Sequence, residues 1–285
     1  MSGLFKFFSI FPLWVAHSLG WVVGWLAFAV SGTYRQRFLD NARLAGLTAR
    51  QWFGAVGAAG QQIAELPRLW FGQPVAVQWE GAHHIDAALT QGRGIVFLTP
   101  HLGCFEVTAQ AYAERYGQGT APAGGKPMTV LFRPPRKAWL TGLVTSARQR
   151  PGLFTAPTSL AGVKQLIKAL KGGDCVGLLP DQVPPAGQGI WSPFFGRQAY
   201  TMTLAVRLAL QTRATLLVAW GERLAWGQGY TVHVLPLHGA PGRPLAADLE
   251  GAVAQVNSAM ETLVRTCPEQ YLWGYARYKQ PRVET

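Results

Sequence analysis

The chain is short of acid. Its 285 residues include 14 Asp and Glu against 26 Lys and Arg, a formal charge of +12. Such a balance asks for an anionic partner: nucleic acid, anionic lipid, a phosphorylated substrate or an acidic protein. No helix-turn-helix, RNP-like strand or zinc-finger spacing is present, so the sequence gives no support for nucleic acid. Cysteine is scarce too. Cys104, Cys175 and Cys267 lie far apart with no CxxC pair, which argues against a disulfide framework and a zinc site and fits a reducing compartment. No Gly-x-Ser-x-Gly elbow occurs, which weighs against an esterase of that type. No internal repeat and no interdomain linker is found. With 49% apolar and only 14% charged residues, the chain can build one large core, with or without an appendage.

A local absence is sharper. From Phe7 to Tyr34 there is no Asp, Glu, Lys or Arg. That stretch is long enough to cross a bilayer, which takes roughly 20 apolar residues. Trp14, Trp21 and Trp25 are of the type found at membrane interfaces, while Pro12, His17, Gly20 and Gly24 interrupt the run. A spanning anchor and a helix lying in the interface both fit. No small-residue cleavage site stands out, which argues against a removed signal peptide. The basic flank of Arg35, Arg37, Arg43 and Arg50 places that side in the cytoplasm. The expected division is a hydrophobic anchor over 1–34 and a domain over 35–285.

Beyond the anchor, 34–71 reads as helical, 75–80 as a strand and 82–90 as a short helix. The centre of the chain is the stretch 93–106. Gly94 to Thr99 is a short apolar run bounded by Gly and Pro, hence a buried strand, and Pro100 ends it. His101, Gly103 and Glu106 follow, then a helix from Val107 to Arg115. An imidazole at the carboxyl end of a strand sits where open α/β sheets bind ligands. In one helix, residues five apart point roughly 140° away from each other. With His101 on the loop, a turn at Gly103 can instead fold Glu106 onto it. A carboxylate on one ring nitrogen makes the other a base for a hydroxyl. The plain alternative is a capped helix start, with Glu106 favoured by the helix dipole. Cys104 reads as a small buried thiol or as a nucleophile.

Two later strands deliver polar groups in the same way. Met128 to Phe132 ends at Arg133-Pro134-Pro135-Arg136-Lys137, and Cys175 to Leu179 ends at Pro180-Asp181-Gln182. Helices are expected over 138–149, 159–171 with Ser159 as cap, 200–212 and 245–266, and strands over 214–220 and 229–235. A Pro/Gly-rich loop reaches Pro193-Phe194-Phe195-Gly196. Strands alternating with helices give an α/β fold, a single sheet flanked by helices. Neighbouring strands would gather His101, Glu106, Arg133, Asp181 and Gln182 on one edge.

These blocks, taken together, resemble the bacterial lipid A late acyltransferases of the lysophospholipid acyltransferase superfamily. His101-Leu102-Gly103-Cys104-Phe105-Glu106 matches a His-x4-Glu block. Phe132-Arg133-Pro134, Asp181-Gln182, Pro193-Phe194-Phe195-Gly196 and Tyr271-Leu272-Trp273 with Arg277, Lys279 and Pro281 follow in order. Leu102, Cys104 and Phe105 depart from the usual aromatic, Asn and Trp. The resemblance implies a glycerolipid-acyltransferase-like fold and an acyltransferase domain after the anchor. It implies transfer from acyl carrier protein to a hydroxyl of a lipid A precursor, at the cytoplasmic face of the inner membrane among its lipids, with no cofactor or metal. A His101/Glu106 dyad would activate the hydroxyl. Arg133 or backbone N–H groups near Gly103 would meet the oxyanion, Asp181 and Gln182 would order the site, and Phe194 and Phe195 would line the acyl path. Other acceptors stay open: a glycerolipid, a glycolipid or an amino-acid lipid. So does a membrane-anchored lipid-binding protein without chemistry.

Overall fold

A computed structural model describes residues 2–119, 121, 124–132, 138–148, 150–237 and 244–283. Five helices come first: α1 (Ser2–Ser9), α2 (Leu13–Val30), α3 (Gly32–Leu44), α4 (Ala49–Ala64) and α5 (Leu66–Phe71). The segment 34–71, read as helical with Pro67 perturbing its end, is broken into three helices, α5 starting with Pro67 in its first turn. Gly46 turns the chain at φ +74°, and Thr48 starts α4 with a reciprocal capping box to Gln51. Then come β1 (Val77–Glu80), α6 (Ala82–Thr90), β2 (Ile95–Leu98), α7 (Phe105–Tyr116), β3 (Met128–Phe132) and α8 (Ala138–Arg148). Next are β4 (Leu153–Pro157), α9 (Leu160–Lys171), capped by Ser159 as expected, and β5 (Cys175–Leu178). The chain ends with β6 (Gly189–Phe194), β7 (Arg197–Met202), α10 (Leu204–Thr212), β8 (Thr215–Arg223), β9 (Tyr230–Pro236) and α11 (Leu249–Thr266).

The seven-stranded sheet has the order β1-β9-β8-β2-β5-β3-β4. All its pairings are parallel except β8 with β9. A second, two-stranded sheet of β6 and β7 corrects the expectation of a single sheet and replaces the expected loop. Its turn holds Phe195 at φ 47° and Gly196 at φ 75°, the positive angles that close a tight hairpin. Alternation along β2 sorts the core. Ile95 and Phe97 pack with α6 and α7 residues such as Ile85, Val107 and Tyr112. Val96 and Leu98 pack with Leu166, Val206 and Val253 from α9, α10 and α11. With helices on both faces, every residue of β2 and β5 is buried, so these strands carry no polar alternation.

Helix α2 is long and apolar enough to cross a membrane by length and composition, and a third of it is buried. Its small residues face α4. A Cβ on Gly24 would lie 2.3 Å from the Val56 carbonyl oxygen, and one on Gly60 2.0 Å from that of Gly20. The two backbones touch because no side chain intervenes. Gly60→Leu is therefore expected to push α2 off α4, costing about 1–3 kcal/mol as overpacking does. Limited proteolysis before Gly32 would report the loosened helix, and an unchanged cleavage pattern would refute the packing.

Candidate active site

Strands β2 and β5 run parallel with Leu98 opposite Leu178. Each is followed by one residue, a proline, and then a side chain with chemistry: Thr99-Pro100-His101 and Leu179-Pro180-Asp181. Equal spacing beyond an in-register pair sets His101 beside Asp181. The ring Nδ1 lies 2.8 Å from Asp181 Oδ1, and the His101 backbone N–H donates to Oδ2 at 2.9 Å. A carboxylate only accepts, so the ring proton resides on Nδ1 and Nε2 keeps its lone pair. The Gln182 amide donates to Nε2 at 3.0 Å. The His101 side chain is 14% exposed and that of Asp181 2%. Burial pushes the Asp181 pKa up, but His101, by its charge whenever the ring is protonated and by its ring and backbone hydrogen bonds, outweighs this and holds it below the usual carboxylate range.

The expectation that Gly103 folds Glu106 onto His101 is corrected by this geometry. Glu106 stands in the first turn of α7 and turns toward α5 and α8. Arg148 donates Nε–H and an NH2 group to its two oxygens at 2.9 and 2.7 Å, and the Trp70 indole donates at 3.0 Å. No hydrogen bond joins His101 and Glu106 among the described residues, because the two side chains leave the loop toward different neighbours. The imidazole instead rests near the Phe105 ring, centroid to centroid 5.1 Å.

Gly103 shapes the loop. It has φ +58°, and a Cβ there would lie 2.0 Å from the Gly221 carbonyl oxygen. Its N–H donates to the Gln270 carbonyl, and the Cys104 N–H to that of Gly221. These amides are thus spent inside the fold, which corrects the expectation that they meet an oxyanion. The Gly103 carbonyl accepts from Gln62 at 3.0 Å and from Arg223 at 3.1 Å. Behind it, Glu65 is fully buried and takes Arg223 in a bidentate pair at 2.7 Å, Tyr230 at 2.9 Å and His17 at 3.1 Å. Burial pushes the Glu65 pKa up, yet Arg223 and then His17 bring it down to about 2.

Cys104 is 1% exposed. Burial foremost, with the charge of Glu65, pushes its thiol pKa well up, so it packs as a small apolar group. Phe194 and Phe195 are core: their rings meet edge-on, and Phe195 borders a cavity of about 160 Å³ whose lining does not include His101. Arg133 lies outside the described residues. Among the described residues, no cluster of His, Cys, Asp and Glu is placed to hold a metal ion.

Sequence reasoning named His101, Asp181 and Gln182 but missed the groups that hold Glu106 and the Gly103 loop beside them. Trp70, Arg148, Glu65 and Arg223 carry no local motif. A signal did exist for the central pair, in the matching Leu-x-Pro spacing before His101 and Asp181.

A strand-end imidazole whose Nδ1–H is held by a buried carboxylate, with a lone pair on its other nitrogen, is suited to activate a hydroxyl. The family described as bacterial lipid A biosynthesis acyltransferase matches residues 55–280. The chain is 28% identical over 227 residues to the lipid A biosynthesis lauroyltransferase of Escherichia coli (strain K12), covering 78% of this chain and 69% of that one. It is 26% identical over 226 residues to the palmitoleoyltransferase of the same strain, covering 77% and 68%. To a Haemophilus influenzae lipid A biosynthesis acyltransferase it is 25% identical over 193 residues, covering 68% and 56%. The chain belongs to the bacterial lipid A biosynthesis acyltransferase family and is an acyltransferase.

Proposed function

We propose that this enzyme transfers a fatty acyl chain from acyl carrier protein to a hydroxyl of a lipid A precursor at the cytoplasmic face of the inner membrane. The observation that carries the reading is the His101–Asp181 pair, with Nε2 as the free base. In one direct step, Nε2 takes the proton of the acceptor hydroxyl while that oxygen attacks the thioester carbonyl. The thiolate of the carrier leaves and takes the proton back from the imidazolium. Asp181 holds the ring and balances its transient charge, as the carboxylate does in other imidazole-based sites. Gln182 gives up its bond to Nε2 as the hydroxyl arrives. Glu106 belongs to the site as the fixed charge that holds Arg148. Arg133 remains the candidate donor to the oxyanion, a role typically worth about 3–4 kcal/mol.

Two features suit such substrates. Both the carrier protein and the phosphorylated acceptor are acidic, which complements the charge of +12. The outer face of α2 exposes Trp14, Val22, Val23, Leu26 and Val30, the apolar surface by which the protein would hold to the membrane. Acyl length does not follow from membership, since relatives at 28% and 26% identity are named for lauroyl and palmitoleoyl transfer.

The test is a transfer assay with detergent-solubilised protein. It is given a panel of acyl carrier protein thioesters, with lipid A precursor or lysophospholipid as acceptor and products weighed by mass spectrometry. A gain of one acyl chain on the disaccharide lipid is expected. Acylation of the lysophospholipid alone would assign a different acceptor, and no thioester consumption would leave only binding. Cys104→Ser should stay active within about threefold, since general-base transfer needs no thiol there. Loss of activity together with an acyl-cysteine adduct in the parent would instead establish a covalent route.

A further inference from the structure

Four cations gather at a cavity beside the carboxyl-terminal segment. Arg37 on α3, Arg197 on β7, and Arg277 and Lys279 near the carboxyl terminus line a cavity of about 310 Å³. Asp40 is the one carboxylate in that lining, and Arg43 already lies 3.5 Å from it. Among the described residues no carboxylate pairs with Arg37, Arg197 or Lys279. Aromatic rings hold the cations instead: Arg197 stands 4.9 Å from the Tyr278 centroid, Lys279 4.8 Å from Tyr275 and Arg277 5.1 Å from Phe194. Stacking positions a guanidinium while leaving its in-plane N–H groups free to donate.

Arg277 forms the buried floor, 3% exposed. It donates to the Tyr200 carbonyl and the Thr201 hydroxyl, both at 2.7 Å, while its Nε has no partner. The segment carrying it also reaches the catalytic loop. The Leu272 N–H donates to the His101 carbonyl at 3.1 Å, and the Tyr275 hydroxyl accepts from the Val183 N–H at 3.0 Å. On the other side the cavity adjoins the end of the apolar helix, since α3 follows α2 after the single residue Ser31. Exposed hydrocarbon-like surface therefore ends where concentrated positive charge begins, the pattern of an amphiphile with a phosphate head.

We propose that this cavity binds a phosphate monoester, namely the phosphate of the lipid acceptor, and so sets where the acceptor lies relative to His101. The proposal deepens the acceptor reading above and rests on it. A lipid phosphate is favoured over an acidic protein because the inner cation is recessed at the floor of a small cavity. It is favoured over free phosphate because of the adjoining apolar face of α2.

The full-length protein and an Arg37→Ala/Arg197→Ala variant would be co-sedimented with phosphatidylcholine vesicles, with and without phosphatidic acid. Phosphatidic acid should tighten binding of the parent. The variant should lose about tenfold of that gain, about 1.4 kcal/mol, and bind plain phosphatidylcholine like the parent. Inorganic phosphate that displaced the protein from these vesicles at low millimolar concentration would overturn the lipid assignment. In kinetics, the variant should raise KM about tenfold for the phosphorylated acceptor and not for a phosphatase-treated one. An equal rise for both acceptors, or a rise only in the KM for acyl carrier protein, would overturn the proposal, the latter giving the cavity to the acidic donor. Failure of the transfer reading looks different: no product with any acceptor, while the vesicle experiment still reports on phosphate. Lys279→Gln, alone in the same vesicle experiment, serves should the double variant not fold.

Discussion

Acyl transfer falls by about 10²–10⁴-fold when His101 becomes alanine, the usual worth of a positioned general base, with membrane association retained. The loss is in kcat, because the imidazole acts on a proton in flight and contributes little to holding either substrate. Glycine at the same position leaves a gap the size of the ring, so added imidazole should restore part of the rate. No response to imidazole, or near-normal turnover in either variant, would remove His101 from the chemistry. Asp181→Asn is expected to cost nearly as much without changing KM. An amide can present its NH2 to Nδ1, which moves the ring proton to Nε2 and blocks the base. Glu106→Gln acts by a different route: it weakens the bidentate hold on Arg148, 2.9 and 2.7 Å long. Its effect should therefore be reproduced by Arg148→Gln, and the double variant should be little worse than either single one, which a double-mutant cycle measures.

The helices and the inner strands were legible because each is a bounded run with one period. Ile95–Leu98, Met128–Phe132 and Cys175–Leu178 are short apolar segments between Gly and Pro, as strands covered on both faces are. Three features were not legible. β4 is an edge strand with Phe154 and Thr155 exposed, so it has no apolar run. The β6–β7 hairpin turns through Phe195-Gly196, a pair without the usual Asn or Asp signal. The breaks in the first helical region depend on a left-handed Gly46 and a cap, neither visible against a continuous apolar pattern.

At the site the structure gives His101 a different partner from the one expected. Proximity in sequence favoured Glu106 for His101, five residues away. Register favours Asp181, 80 residues on, because adjacent parallel strands carry equal offsets past their paired leucines. Sequence distance within a loop says little about side-chain direction, whereas strand register decides it. Helix α2 makes the same point. Its apolar run is long enough to cross a bilayer, but Gly20 and Gly24 lie where α4 packs against them and leave no room for a side chain.

Arg223→Met is expected to lower stability by about 3–5 kcal/mol, since it leaves a buried carboxylate without its main counter-charge. Glu65 would keep only Tyr230 and His17, and the Gly103 carbonyl would keep only Gln62. The double variant Glu65→Leu/Arg223→Met removes both charges and should recover most of the loss, because two apolar groups can fill the space of the pair. Thermal unfolding in detergent measures both, and strictly additive losses would show that the pair does not act as a unit. Acid provides an independent check. The Glu65 carboxyl lies near 2 in the folded protein against an ordinary 4.5. Its contribution is therefore complete above about 4.5 and disappears as pH falls toward about 2, when the proton binds more readily to the unfolded chain. The parent should lose stability across that window more steeply than the double variant. Transfer should suffer less than stability in Arg223→Met, because Asp181 still holds the His101 ring while the loop beneath it loosens. An equal collapse of kcat at temperatures where the variant remains folded would show that Arg223 sets the position of the base as well as the strength of the fold.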